Sequence, residues 1–420
     1  MLARLFLPLM AVPVLAFAQI DTPRAKQYFT EARAACERDA GALWHVSLCG
    51  PMLFADPKTR DVAANQADGQ NKLTARDGVF VGKLPQSENI ANTATEWAGV
   101  RWSEVVWQNI PEDAATRTIL LMHESFHRIQ KQLGIDPSNP SNAHLDTAAG
   151  RILIQLEWRA LERALQADRA HRNQAIADAL TLRAERRRRF PNAAAEENAL
   201  ERNEGLAEYT GMKLSGESLE AWTQASIQAL HSAAGRDTFV RSFAYVSGPA
   251  YGLLLDESAA GWRNSLAKDA DLGRMLAESR SITLPNDLAA TAEARARDYD
   301  GDSLRAAELA REAARQKRIA EYRTKLVDGP VLKIPFVKMN VQFDPNNLQP
   351  LEGLGTVYPN LRISDVWGVL TVTNGALIDS NWSSVCVPAS DSDGWKLDLK
   401  PGWVEGPGAR KGDRVIRREN

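Results

Sequence analysis

Six histidines occur in this chain of 420 residues, and two of them stand four apart in Leu121-Met122-His123-Glu124-Ser125-Phe126-His127. Positions i and i+4 share one face of a helix, so His123 and His127 can turn both imidazoles toward one ion. Zinc accepts imidazole nitrogen at about 2.0–2.1 Å, and a catalytic zinc site keeps one position for water. Glu124 is rotated by about 100° from His123, which suits a general base that takes a proton from that water without binding the metal. With histidine this scarce, residue frequencies alone give roughly 0.01 expected matches to H-E-x-x-H. A third ligand is required. Candidates are Glu204, Glu201, His144 and Asp146, the first two in Glu201-Arg202-Asn203-Glu204-Gly205-Leu206-Ala207-Glu208-Tyr209 and the last two in Asn142-Ala143-His144-Leu145-Asp146.

The pair must ride on a helix, and the local sequence supplies one. Asp113–Leu133 begins after Pro111 with an acidic cap, carries Ile119, Leu120, Met122, Phe126, Ile129 and Leu133, and stops at Gly134. Apolar residues at helical spacing predict another helix over 147–167, and more are expected near 171–189, 193–214, 218–234, 237–256 and 303–326. Before them, 61–110 reads as strand-rich, with Val79-Phe80-Val81 and Trp97–Trp107 as strands between Gly and Pro breaks. After Val327, short apolar alternations at Leu332–Val341, Leu361–Ile363, Trp367–Val372 and Trp395–Leu399 are separated by turn signals such as Asp344-Pro345 and Asn374-Gly375. The expected class is therefore α+β: residues 19–326 form one domain, sheet-rich over 61–110 and helical over 113–326, and 327–420 form a β-rich C-terminal domain.

Asn203-Glu204-Gly205-Leu206-Ala207 resembles the NEGFA-type segment of the aminopeptidase-N-like branch of the gluzincin metallopeptidases. That resemblance implies a thermolysin-like domain with a small N-terminal sheet, a Zn²⁺ cofactor, and Glu204 as the third ligand. It gives Glu208, one helical turn on, the part of a carboxylate that orients a zinc-bound histidine. Phe243-Ala244-Tyr245-Val246-Ser247-Gly248 is similar to the family's Y-x-K-G segment, with Ser247 in place of Lys, and implies that Tyr245 donates to the oxyanion; Tyr251 is the competing phenol. Glu96, on the strand before the zinc helix, would correspond to the glutamate that holds a substrate amino terminus, although the neighbouring Met and Asn of the family's G-x-M-E-N segment are missing. The long stretch 128–203 between His127 and Glu204 departs from the family's short spacer and reads as two inserted helices.

Composition narrows the rest. Lys+Arg 51 against Asp+Glu 53 leaves a net charge of -2, which supports no whole-chain attraction to nucleic acid or anionic membrane. Met1–Ala18 (MLARLFLPLMAVPVLAFA) has the basic, apolar, small-x-small order of a secretory signal peptide cleaved after Ala18; no later segment is apolar enough to span a bilayer. The expected location is periplasmic or secreted, where Cys36 and Cys49 could pair, leaving Cys386 odd. Arg186–Arg189 reads as a helix C-terminal cap rather than a lipid or nucleic-acid patch. Asp298-Tyr299-Asp300-Gly301-Asp302 misplaces its Gly for an EF-hand, and Trp367, Trp382, Trp395 and Trp403 suit a β-domain core better than a sugar platform. The sequence thus leads to an exported zinc metallopeptidase that cleaves peptides or proteins with metal-activated water and Glu124 as base. A catalytically silent envelope binding protein on the same scaffold, or a zinc hydrolase of non-peptide amides or esters, fits the same residues.

Overall fold

A computed structural model describes residues 20–266, 269–343, 348–390 and 394–419. The expected signal peptide, Met1–Ala18, and the Asp344-Pro345 turn lie outside the described residues. The architecture is mixed α+β, and chain contacts divide it into two compact units: Met1–His144, Leu153–Ala234 and Val240–Arg295 form one, Leu145–Ile152, Gly235–Phe239 and Ala296–Asn420 the other.

The first unit opens with α1 (Thr22–Asp39), whose N-cap Asp21 accepts from the Arg24 N–H and whose first turn holds Pro23, where no N–H partner is lost. Cys36 near its end is joined to Cys49 by a disulfide, with Cα atoms 5.2 Å apart. Six strands follow: β1 (Met52–Ala55), β2 (Asp61–Ala64), β3 (Thr74–Arg76), β4 (Val79–Lys83), β5 (Thr93–Trp97) and β6 (Val100–Val106). They form one sheet in the order β3-β4-β2-β1-β6-β5, antiparallel except for β1 beside β6. β5 is therefore an edge strand.

The helices of this unit are α2 (Ala114–Ile129), α3 (Ala148–Gln166), α4 (Arg169–Arg189), α5 (Ala193–Leu200), α6 (Leu206–Leu214), α7 (Leu219–Ala233), α8 (Ser242–Ser258), α9 (Leu272–Ser279) and α10 (Leu288–Ala296), α3 and α10 each crossing a boundary between units. Three helices, not two, stand between His127 and the Glu204 segment. α2 starts where Asp113 Oδ1 accepts from the Thr116 N–H at 2.8 Å. It ends in a 3₁₀ turn, Gln130–Leu133, closed by left-handed Gly134. Leu121, Met122, Phe126 and Ile129 are buried, and α2 packs against α1, α6, β5 and β6. The contact with α6 is backbone-close: a Cβ on Gly211 would lie 2.3 Å from the Ile119 carbonyl oxygen, so no larger residue fits there without moving a helix.

The second unit carries α11 (Gly301–Arg323) and the C-terminal strands. These are β7 (Val331–Pro335), β8 (Asn340–Phe343), β9 (Gln349–Leu351), β10 (Gly355–Tyr358), β11 (Leu361–Asp365), β12 (Gly368–Val372), β13 (Ala376–Asp379), β14 (Ser384–Pro388), β15 (Trp395–Leu399), β16 (Trp403–Pro407) and β17 (Arg414–Arg418). One sheet runs β16-β17-β7-β14-β13-β10-β9 and another β15-β12-β11-β8. Alternate residues Leu332, Ile334, Leu361, Ile363, Leu370, Val372, Val385 and Val387 bury a shared apolar core. Trp367 is fully buried there and donates Nε1–H to the Pro335 carbonyl; Trp395 and Trp403 pack against the same core, while Trp382 is 41% exposed.

Candidate metal centre

His123 and His127 lie one turn apart on α2, and their Nε2 atoms approach to 3.1 Å. Glu204 meets them from the next layer: its Oε2 lies 3.4 Å from His123 Nε2 and 3.5 Å from His127 Nε2. Among the described residues, this is a group of His, Cys, Asp and Glu side chains able to hold a metal ion, with ligand atoms all within 4.8 Å of one another. Glu204 sits in a π-helical turn, Glu201–Gly205, between α5 and α6. Such single wide turns recur at functional sites because they re-aim one side chain. α8 packs on this turn with equal intimacy, since a Cβ on Gly248 would lie 2.3 Å from Gly205 Cα. That approach brings Tyr245, three residues before Gly248, onto Glu204.

Each histidine has its ring fixed by its other nitrogen. His123 Nδ1 is 3.0 Å from Glu208 Oε2, and His127 Nδ1 is 2.9 Å from Gln130 Oε1. Both partners are acceptors, so each Nδ1 carries the hydrogen and each Nε2 presents a lone pair. Gln130 in turn donates to Asn203 Oδ1 at 2.9 Å, tying the end of α2 to the segment that carries Glu204. Asn203 and Arg241 donate to Glu204 Oε1, and the Tyr245 hydroxyl donates to Glu204 Oε2 at 2.6 Å. The Tyr245 ring stacks on His123 with centroids 5.7 Å apart.

Two imidazole lone pairs and a carboxylate thus point at one another in a buried place. That arrangement is repulsive without a positive charge at its centre, and nitrogen and oxygen donors in this set suit a divalent metal. A proton answers the same demand. Burial alone would lower the His123 pKa, but hydrogen bonds to Glu204 and Glu208 outweigh it and hold the pKa up at about 10. Burial would raise Glu204, yet the two imidazoles pull it well below the usual carboxylate range. Glu124 is 3% exposed, and its Oε2 has no hydrogen-bond partner. Burial pushes its pKa up, against the pull of His123 and His127. A buried, unpartnered carboxylate oxygen is costly unless something is to bind there.

His123, Glu124, His127, Glu204, Glu208 and Tyr245 all line one cavity of about 610 Å³. Its far wall includes Thr93 and Ala94 of the edge strand β5. Glu96, on the same strand, is not brought to this cavity: its side chain is 66% exposed and pairs with Arg101 Nη1 at 3.0 Å. The alternative ligands are engaged elsewhere. His144 Nε2 bonds Glu197 at 2.9 Å, Glu201 pairs with Arg183, and Asp146 accepts from Thr238 and the Phe239 N–H. Tyr251 donates to Glu157, away from the site. Three site residues carry no motif signal of their own: Gln130, Arg241 and Asn139, which accepts from Arg241 Nη1 at 2.8 Å. Gln130 stands three residues after His127, the helical spacing at which a partner for its ring could have been sought.

No family model, curated protein or solved structure matches the chain. No helix among the described residues is long and apolar enough to cross a membrane.

Proposed function

We propose that this chain is an exported zinc-dependent metallopeptidase of gluzincin type, thermolysin-like in the arrangement of its metallopeptidase domain. The observation that carries the reading is the convergence of His123 Nε2, His127 Nε2 and Glu204 Oε2 beside the buried, unpartnered Oε2 of Glu124. The resemblance of Glu204 and Tyr245 to the aminopeptidase-N-like segments supports it, as does the position of both residues at the histidines. The Cys36–Cys49 disulfide supports export to the periplasm or beyond.

His123, His127 and Glu204 would hold the ion. Bound zinc supplies Lewis-acid polarisation and acidifies water to near neutrality. Glu124, raised by burial, takes a proton from the attacking water and delivers it to the departing amine as the C–N bond breaks. The Tyr245 hydroxyl, kept protonated by burial and by the charge of Glu204, turns its hydrogen to the oxyanion that develops on the carbonyl oxygen. Glu208 and Gln130 hold the two imidazoles in the tautomer that offers Nε2. The free edge of β5 beside the cavity can align an extended peptide by main-chain hydrogen bonds.

The test is metal content and proteolysis together. The protein should hold about one zinc per chain by mass spectrometry and cleave unstructured protein substrates. Glu124→Gln should retain zinc and lose at least about a hundredfold in kcat, the usual worth of a general base. A Glu124→Gln variant as active as the parent would sink the mechanism, and a protein that binds no zinc would sink the reading itself.

A further inference from the structure

The walls of the cavity say what kind of substrate it admits. Apart from Glu124, Glu204 and Glu208, each with a task at the metal centre, its lining among the described residues holds no carboxylate. It is instead rich in neutral amides, Asn89, Asn92 and Asn109 among them, and it has two guanidinium groups, Arg101 and Arg241. Arg101 is engaged by Glu96, the Arg128 carbonyl and the His127 carbonyl.

Arg241 is different. It stands immediately before α8, and its side chain is 53% exposed. Nη1 is held by Asn139 at 2.8 Å and Nη2 by Glu204 Oε1 at 3.1 Å, which fixes the plane of the fork at the mouth of the site. A guanidinium carries five N–H donors; the fork is pre-oriented and half exposed, Glu204 is the acid bonded to it, and the donors beyond those held by Asn139 and Glu204 suit a second carboxylate. Resting on the peptidase reading above, we infer that Arg241 binds a substrate carboxylate next to the scissile bond, so that the site selects acidic peptides. The carboxylate can belong to an acidic side chain or to a free C-terminus, and the chemistry of recognition is the same.

Three acetylated pentapeptides separate these cases: alanines around a central glutamate with an amidated end, the glutamine twin, and the twin with a free C-terminal acid. Binding is measured by calorimetry to zinc-loaded Glu124→Gln protein, and cleavage is measured with the parent. The glutamate peptide should bind and react about tenfold to a hundredfold better than its twin, the range of a charge-assisted pair. Gain by the free acid alone assigns the C-terminus as the carboxylate. Arg241→Gln should bring the ratio toward one, and Arg241→Lys should restore part of it, which a purely structural tie to Glu204 would not do. Equal binding of all three by the parent scaffold overturns the inference while leaving peptidase activity to stand. Arg241-dependent binding with no cleavage of any peptide keeps the inference and removes the peptidase reading. Failure to bind any of the three overturns both.

Discussion

Glu201 and Glu204 share one helical turn, yet they belong to two buried clusters built on opposite principles. Glu201 joins a network in which Arg183, Arg186 and Arg187 meet Glu157, Glu197, Glu201 and Asp271. Arg186 is fully buried and grips Glu197 with two parallel bonds of 2.6 and 2.9 Å. Guanidinium and carboxylate alternate, and Tyr251 donates to Glu157. Glu204, three residues later, faces two imidazole lone pairs and an unpartnered Glu124 oxygen. Burial makes unpaired charge expensive in both places. Where the protein completes the pairing itself, the cluster is scaffold. Where it sets two imidazole nitrogens against a carboxylate, with only the half-exposed Arg241 to balance it, the cluster could hold a metal ion.

The sharpest way to break that contrast is to remove one charge from each side. Arg186→Met takes the bidentate partner from Glu197 and a 2.5 Å partner from Glu157 in a dry interior, and should cost about 3–5 kcal/mol or prevent folding. His123→Ala removes one of the opposed lone pairs beside an open cavity. It should cost the chelator-treated protein clearly less than Arg186→Met does, because the gap it leaves opens onto the cavity. Urea unfolding of both variants decides it; equal losses would mean that the metal cluster is also scaffold.

Acid probes the same network without mutation. Burial would raise Asp271 and Glu197, but Arg183 and Arg187 around the first and Arg186 and His144 around the second outweigh it and hold both well below the usual carboxylate range. Groups whose pKa is lower folded than unfolded contribute stability above the unfolded value, near 4, and lose it as pH falls through the folded value. Glu201 works the other way, because burial dominates over Arg183 and raises it. Two depressed groups against one raised group predict a urea midpoint that declines steadily below about pH 4. Asp271→Asn should flatten that decline; an unchanged slope would mean that acid acts elsewhere.

On the other side of the contrast, supplying the missing charge should stabilise. Free zinc at a hundred times its dissociation constant adds about 3 kcal/mol to a protein that binds it only when folded. Calorimetric melting with and without chelator should show that increment in the parent and none in His123→Ala. An equal shift in both would place the ion at some other site.

Much of this was legible in the sequence because helical spacing is a local property. His123, Glu124 and His127 could be read from a spacing of four residues, and the helix that carries them from Asp113 to Gly134. Glu204, Glu208 and Tyr245 entered by resemblance, and all three stand at the histidines. Glu96 entered the same way and lies exposed against Arg101; it shares a strand face with Ala94 of the cavity lining, but stands two residues further along β5, and a partial motif does not fix that position. Arg186–Arg189 looked like a cationic helix end. Arg188 and Arg189 do pair with Glu185 in that last turn, but Arg186 is buried against carboxylates from 157 and 197, partners that no local pattern announces. The helices α9 and α10 and the strand β1 fall outside the expected elements, because each is short and its burial is decided by distant elements. Leu332–Val341, read as one run, divides into β7 and β8, which enter different sheets.

The smallest effects concern the groups that aim the imidazoles rather than bind the ion. Loss of such a partner costs about tenfold to a hundredfold in metal affinity. Gln130→Ala deletes the acceptor for His127 Nδ1–H and the bridge to Asn203, so it should reach the upper part of that range. Glu208→Gln keeps an oxygen that can accept from His123 Nδ1–H but removes the charge, and should fall near the lower end. Competition against a chelator of known affinity measures both. If Glu208→Gln proved the more damaging, the charge on the outer carboxylate would matter more than its geometry. The two histidines would then be held by different means: one by an anion that strengthens it as a ligand, the other by a neutral amide that only fixes its direction.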